Sequence, residues 1–504
     1  MYQAKGPGAL PEQTVSATDP ADARPADAAP AHATAGHPTD PTNARPTDAA
    51  AITASPVSVP RLAWLIGPAL VAGVAYLDPG NVASNMTAGA IYGYLLVWIV
   101  VLGNVMAWLI QYLSAKLGVV TGESLPEVLG RRIRNPWARR AYWLQAELVA
   151  MATDIAEVIG GAVALNLLFN VPLVWGGVIT GTVSMGLLVL QSRRGPRTFE
   201  FVVIGLMVII AIGFTVGVFF GPPDPAGIVG GLVPRFEDTG SVLLAASILG
   251  ATIMPHAIYA HSALARDRFA PAGTHAWAAR PARVSLPAFL ARRRGGAAER
   301  PAIVEPVART SVELEGARGV TTARLLRATR WDVSIAMVIA GTVNLCILLL
   351  AAANLAGVPG TDSLEGAYEA LGATLGPLVA TLFAVGLLAS GLASTSVGAY
   401  AGAEIMHGLL HVRVPLLARR LVTLIPALLI LGIGFDPTLA LVLSQVVLSF
   451  GIPFALIPLV TLTAQERTLG VFRNRPATTI AGIAASIFLI ALNGVLLWLV
   501  ISGA

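Results

Sequence analysis

Val74-Ala75-Tyr76-Leu77-Asp78-Pro79-Gly80-Asn81 and Gly250-Ala251-Thr252-Ile253-Met254-Pro255-His256 are the two stretches that decide the architecture of this 504-residue chain. Each interrupts an apolar run with a proline and polar groups. A carboxylate such as Asp78 near the centre of a bilayer costs about 2.5–3.5 kcal/mol on insertion scales. Pro79 removes a backbone donor and Gly80 relaxes the chain, so the helix unwinds beside Asp78. Unwound backbone at membrane depth survives only where it is buried in protein or lines a watery cavity.

The rest of the composition supports that membrane setting. Hydrophobic residues make up 55% of the chain and charged residues 12%, against about 45–50% and 25% in soluble domains. Mean hydropathy is +0.72. Apolar runs long enough to span a bilayer recur, as in 95–113, 202–220, 333–353 and 478–501. We expect eleven spans, at about 62–92, 95–115, 141–168, 172–191, 199–220, 241–265, 329–355, 375–408, 417–434, 437–463 and 477–501. Residues 1–58, rich in Ala, Pro, Asp and Thr, bury too little to offset their ordering entropy and read as a disordered tail. Residues 59–504 then form one transmembrane domain, with a low-complexity, Arg-rich insertion at about 272–316. The whole loop 269–326 is expected to be poorly ordered. The single cysteine, Cys346, excludes a disulfide framework or thiolate cluster.

Arginine placement orients the spans. Loops after even-numbered spans carry Arg131, Arg132, Arg134, Arg139 and Arg140, then Arg193, Arg194 and Arg197, then Arg413, then Arg467, Arg473 and Arg475. Loops after spans 5, 7 and 9 carry Asp224, Glu237, Asp238, Asp362, Glu365, Glu369 and Asp436, with Arg235 the exception. By the positive-inside rule the N-terminal tail is expected to be cytoplasmic and the C-terminus extracytoplasmic, with the cell (inner) membrane as the expected location. The two breaks fall in spans 1 and 6. Five spans is an odd number, so a second five-span unit threads the bilayer in the opposite sense. Paired broken helices at matching positions of inverted halves point to a transporter's central site. The expected fold is an all-α integral membrane, LeuT-like one, a 5+5 inverted repeat plus one extra helix.

The donors at the breaks indicate the cargo. Asp78 offers an anionic oxygen, Asn81 a carbonyl oxygen, and the freed carbonyls of Ala75 and Ala251 two more. Met254 offers a thioether, for which Mg²⁺ and Ca²⁺ have little use. Such a mixed set suits Mn²⁺, Fe²⁺, Co²⁺ or Cd²⁺ as a transported substrate, with no resident cofactor. In span 3, Glu147, Asp154 and Glu157 lie within about 80° of arc on one helix face, with Thr153 as a neighbouring polar group. They read either as a proton relay or as structural ion pairs with Arg419 or Arg420. His256 is either an accessory proton carrier or a structural histidine. Asn104 and Asn344 are expected as buried polar groups lining a pathway or joining helices. Glu404, His407 and His411 have metal-ligand spacing but no matching motif elsewhere.

Asp78-Pro79-Gly80-Asn81 and Met254-Pro255-His256 together resemble the paired signatures of the Nramp divalent-metal transporters. The resemblance runs from about residue 62 to the end outside the insertion, and includes Ala146–Glu157 in span 3 and Leu443-Ser444-Gln445 in span 10. It implies proton-coupled Mn²⁺ or Fe²⁺ import by alternating access, with Asp78, Asn81, Met254 and the Ala75 and Ala251 carbonyls as ligands. It also implies that Gln445 joins the metal in some states, and that protons pass through Asp78, Asp154 and Glu157. Two other readings remain: an amino-acid or sodium symporter of the same architecture, against which Met254 argues, and an intramembrane metalloenzyme, which needs a denser ligand cluster. The chain has no phosphate-binding loop for ATP, and nothing indicates a nucleic-acid partner. The bilayer itself is the expected environment.

Overall fold

The computed structural model describes residues 67–194, 196–269, 311–412 and 415–503. The expected disordered tail, 1–58, and most of the expected insertion, 272–316, lie outside the described residues. All regular structure among the described residues is helical. α1 (Pro68–Gly73) runs into a 3-10 turn, Val74–Leu77, and α2 (Pro79–Tyr92) completes span 1. α3 (Val97–Thr121), the short α4 (Leu125–Arg132), α5 (Pro136–Phe169), α6 (Leu173–Arg194) and α7 (Pro196–Phe220) follow. After α8 (Pro225–Gly231), span 6 consists of α9 (Thr239–Thr252) and α10 (Pro255–Arg268). The chain continues through α11 (Ser311–Arg318), α12 (Thr322–Asn354), α13 (Leu364–Leu375), α14 (Pro377–Leu410), α15 (Leu416–Gly432), α16 (Pro437–Ala464) and α17 (Pro476–Ser502).

Helices therefore stand at every expected span. Among the described residues, eight helical stretches are long and apolar enough to cross a membrane unaided, counting Thr239–Arg268 as one. Pro68–Leu77 and Leu173–Val189 are shorter apolar pieces. Proline opens many of these helices, at α2, α5, α10, α14, α16 and α17. Its missing N–H is one that no helix start could satisfy internally.

The expectation of a poorly ordered loop over 269–326 fails at its C-terminal end. Residues 311–318 form α11, and α12 begins at Thr322, earlier than the expected start near 329. Local polar contacts explain this. Glu315 accepts from the Thr322 backbone N–H at 2.7 Å, and Arg318 Nη1 donates to the Val119 carbonyl of α3 at 2.7 Å.

Packing follows the inverted repeat. α2 lies along α12 while α3 lies along α10, so span 1 with 7 has its counterpart in span 2 with 6. Likewise α7 packs on α14 and α5 on α16, pairing span 5 with 8 and span 3 with 10. Within span 6, 94% of the central window is buried, against 33% in α17. The broken helix is thus the centre of the protein and α17 is peripheral. Outward-facing Phe219, Trp498 and Ile501 are exposed apolar side chains of the kind a lipid-facing surface requires.

Candidate metal site at the two helix breaks

Pro79 pushes the residue before it out of the helical region. Asp78 accordingly takes φ −70° and ψ 163°, ending the 3-10 turn and capping α2. Its Oδ1 accepts from the Asn81 N–H at 2.8 Å, and its Oδ2 accepts from Gln445 Nε2 at 3.1 Å. The carbonyls released by the break are taken up by side chains. Tyr76 O accepts from Asn81 Nδ2 at 2.6 Å and from Asn344 Nδ2 at 3.1 Å, while Leu77 O accepts from Ser390 Oγ. Asn85 donates to Asn81 Oδ1 at 2.6 Å.

The second break is less furnished. α9 ends at Thr252, and Met254 caps α10 with no side-chain hydrogen bond. Ala251 and Met254 are fully buried. The Ala251 carbonyl lies 3.5 Å from Asn81 Nδ2, which joins the two breaks directly. Ser84 and Ser247 meet at 2.6 Å, and Ser247 donates to the Val442 carbonyl at 3.0 Å, stapling α2, α9 and α16. Gly80 and Gly250 permit this closeness. A Cβ at Gly80 would strike the Gln445 side-chain amide, and one at Gly250 would strike the Gln445 backbone carbonyl.

The structure thus brings Asp78, Asn81, Ala251 and Gln445 into one connected group, with Met254 three residues beyond Ala251 at the same break. Ala75 is buried inside the 3-10 turn, but the carbonyl that Asn81 and Asn344 engage belongs to Tyr76. The sequence reading named the Ala75 carbonyl and missed that of Tyr76, because which carbonyl the neighbouring amides reach depends on Asn344 from another helix. It also missed Asn85 and Ser390. Asn85 carries a signal, since it lies four residues after Asn81 on the same helix face, whereas Ser390 on the distant α14 carries none.

The three carboxylates of α5 meet both arginines of α15. Arg419 donates from Nε to Glu147 at 2.9 Å and from Nη1 to Asp154 at 2.8 Å. Arg420 Nη1 reaches Asp154 at 3.2 Å and Glu157 at 3.1 Å, and further donors reach Ser184 and Thr395 at 3.1 Å. All five charged groups are buried. His256, in the first turn of α10, pairs its Nδ1 with Thr153 Oγ1 at 3.2 Å. The break in span 6 is therefore one hydrogen bond from the face of α5 that carries Asp154.

One expectation is corrected, and one ligand-like spacing is explained. Asn104 is only half-buried and sits against Gly341 on the outer side of α3 and α12, because small Gly341 leaves it room there. It lines the outer groove between those helices. Glu404 is held by both Nη atoms of buried Arg266 at 3.1 Å. Its carboxylate is thereby committed to a guanidinium, and among the described residues no group of three His, Cys, Asp or Glu is placed to hold a metal.

The family model described as natural resistance-associated macrophage protein-like (Nramp) matches residues 69–499. The chain belongs to the Nramp family. This Nramp chain is 54% identical over 444 residues to the divalent metal cation transporter MntH of Mycobacterium tuberculosis, covering 88% of this chain and 93% of that one. A crystal structure of the Eremococcus coleocola manganese transporter, in complex with an aromatic bis-isothiourea compound, superposes with a TM-score of 0.68 at 30% identity. The match covers 87% of this chain and 88% of that one. MhsT in complex with L-phenylalanine matches with a TM-score of 0.52 at 12% identity, over 87% of this chain and 98% of that one, a likeness of fold alone. The Nramp chain is a multi-pass membrane protein of the LeuT-like fold.

Proposed function

We propose that this protein imports divalent transition-metal ions, Mn²⁺ or Fe²⁺ with Cd²⁺ and Co²⁺ as further cargo, by alternating access coupled to protons. The observation that carries the reading is the convergence of Asp78, Asn81, the Ala251 carbonyl and Gln445 where two half-helices meet inside the protein. The names of its relatives, a divalent metal cation transporter and a manganese transporter, support it.

One carboxylate with neutral oxygen donors and a thioether makes a site of low total charge, suited to releasing an ion as well as taking it. Asp78 supplies the anionic ligand and Met254 favours soft ions over Ca²⁺. Asn81 presents its Oδ1 once the amide turns away from Asn85. Gln445 leaves Asp78 Oδ2 free by withdrawing its amide. Protons cross by way of Asp78 and the Asp154–Glu157 face, where release from Arg419 or Arg420 raises a carboxylate's proton affinity and pairing lowers it. The distribution of arginines among the loops supports a cytoplasmic N-terminus and an extracytoplasmic C-terminus. The protein acts by transport, not catalysis.

The test is metal uptake into proteoliposomes. An inward proton gradient is expected to drive uphill Mn²⁺ uptake, and a protonophore to stop it. Met254→Ala is expected to keep Mn²⁺ uptake, lose Cd²⁺ most and admit Ca²⁺. Downhill uptake indifferent to the proton gradient would indicate a channel, and unchanged Cd²⁺ and Ca²⁺ selectivity in Met254→Ala would remove the thioether's role.

A further inference from the structure

On the outer surface of the bundle, α3 and α12 leave a groove of about 360 Å³ between them. Its walls are mainly apolar, with Val101, Val105, Met337, Val338 and Leu345 among them, and Asn104 and Thr342 set into it. Val105 and Val338 are 61% and 67% exposed, so no other part of the described protein covers it. Along α3 the distance from Val101 to Tyr112 is about 16 Å at 1.5 Å per residue. That is close to half of a hydrocarbon core about 30 Å thick, or one leaflet.

One end of the groove is aromatic and basic. Trp108 and Tyr112 stack with centroids 6.3 Å apart, and Trp108 Nε1 donates to Ser334 at 2.9 Å. The Arg330 guanidinium sits 5.2 Å over the Tyr112 ring. Arg327 is one helical turn away on the same face of α12, and both arginines are exposed. Neither is in a salt bridge among the described residues. Lys116 lies within coulombic range of Arg330, and its ammonium donates to the neutral Asn474 Oδ1 at 2.9 Å, with no carboxylate beside it. Trp331, 57% exposed, stands beside Arg330, the position that interfacial tryptophans take at the headgroup level. Cations gathered at the membrane interface above an acyl-sized groove match one class of molecule.

We propose that this groove binds an anionic phospholipid, with its phosphate at Arg327 and Arg330 and one acyl chain laid along α3 and α12. The site bears on the transport bundle. The same end of α12 holds the start of span 1, since Asp332 accepts from the backbone N–H groups of Gly67 at 3.1 Å and Ala69 at 2.9 Å. A lipid clamped across α3 and α12 steadies the helices on which that span rests.

The test is lipid retention by the purified full chain in detergent, read by native mass spectrometry during titration with phosphatidylglycerol, phosphatidylcholine or glycerol 3-phosphate. Phosphatidylglycerol is expected to bind in preference to phosphatidylcholine, and to weaken roughly fivefold for each arginine removed in R327Q and R330Q. Thr342→Trp, which fills the groove without touching a charge, is expected to weaken it as well, while Arg140→Gln near the start of α5 leaves it unchanged. If Thr342→Trp does not fold, Val338→Trp serves the same purpose at a more exposed wall. Equal binding of both phospholipids, unchanged binding in the R327Q/R330Q double variant, or displacement by glycerol 3-phosphate as effective as by the lipid would each overturn the proposal.

Discussion

The dipeptide Asp-Pro opens three of the described helices, and the three aspartates have different fates. Asp436 begins α16 and accepts from the Leu439 N–H at 2.7 Å. Asp224 begins α8 and accepts from Ala226 and Gly227 at 3.2 and 2.9 Å. Asp78 begins α2 and accepts from Asn81 at 2.8 Å in the same way. Locally these are one device, an acid at the N-cap followed by proline at the first helical position. Asp224 and Asp436 are exposed at helix ends, whereas Asp78 is wholly buried. Its second oxygen faces Gln445 from another helix, and the Asn81 that it caps lies 3.5 Å from the Ala251 carbonyl of the second broken span. A cap that water could serve is, in the function proposed above, a ligand, because other helices surround it and keep water away.

Replacing Asp78 by Asn separates the two roles, because asparagine caps as well as aspartate but carries no charge. Asp78→Asn is expected to fold with wild-type stability and to lose Mn²⁺ uptake by more than ~100-fold, beyond the 10–100-fold that removing a supporting hydrogen bond typically costs a metal site. The same change at Asp436 is expected to leave uptake untouched, and uptake by Asp78→Asn equal to wild type would end the distinction. Next in size is Asn344→Ala, which takes one of two donors from the Tyr76 carbonyl. Uptake is expected to fall roughly tenfold, with the metal's apparent affinity moving more than the melting temperature. Asp436→Ala should show the pure capping effect, a loss of about 1 kcal/mol of stability with transport kept, measured by thermal melting.

The smallest effect concerns Asp238, an exposed acid cap on α9. The Tyr92 hydroxyl at 2.6 Å, and then the Ser241 backbone N–H, hold its carboxyl below the usual range. A folded-state pKa below the unfolded value of about 3.9 gives stability that is present above that pH and is lost as pH falls through the folded value. Melting curves are expected to be flat in this contribution down to about pH 4 and to decline below it. Tyr92→Phe should shrink that decline, because the folded value then lies nearer the unfolded one. An unchanged acid limb in that variant would show that the tyrosine does not hold the cap.

Much of the site was legible in the chain alone. Asp78-Pro79-Gly80-Asn81 and Met254-Pro255-His256 could be placed in broken spans because a proline with polar neighbours interrupts the hydrogen-bond ladder of an apolar helix. The α5 carboxylates could be put on one face because helical geometry fixes their arc. Which role they play was not readable. Pairing with Arg419 or Arg420 was one of two open readings, and the structure makes those pairs, Glu147 and Asp154 with Arg419, and Asp154 and Glu157 with Arg420, across 263 to 272 positions of sequence. Asn104 shows the opposite failure, since a polar residue in an apolar helix reads as buried until its helix face is known. Glu404 and His407 had ligand spacing, yet Arg266 from α10 claims the glutamate.

The sequence by itself determined the membrane class, the places of the spans and the two breaks. Those depend on hydropathy, proline and glycine, whose effects act within a few residues and need no partner. Only the tertiary structure decided that Gln445 reaches Asp78, that Asn81 bridges to Ala251, and that the Tyr76 carbonyl receives two amides. Each of those arrangements joins separate helices, and their closeness rests on Gly80 and Gly250 leaving room where any larger side chain would collide.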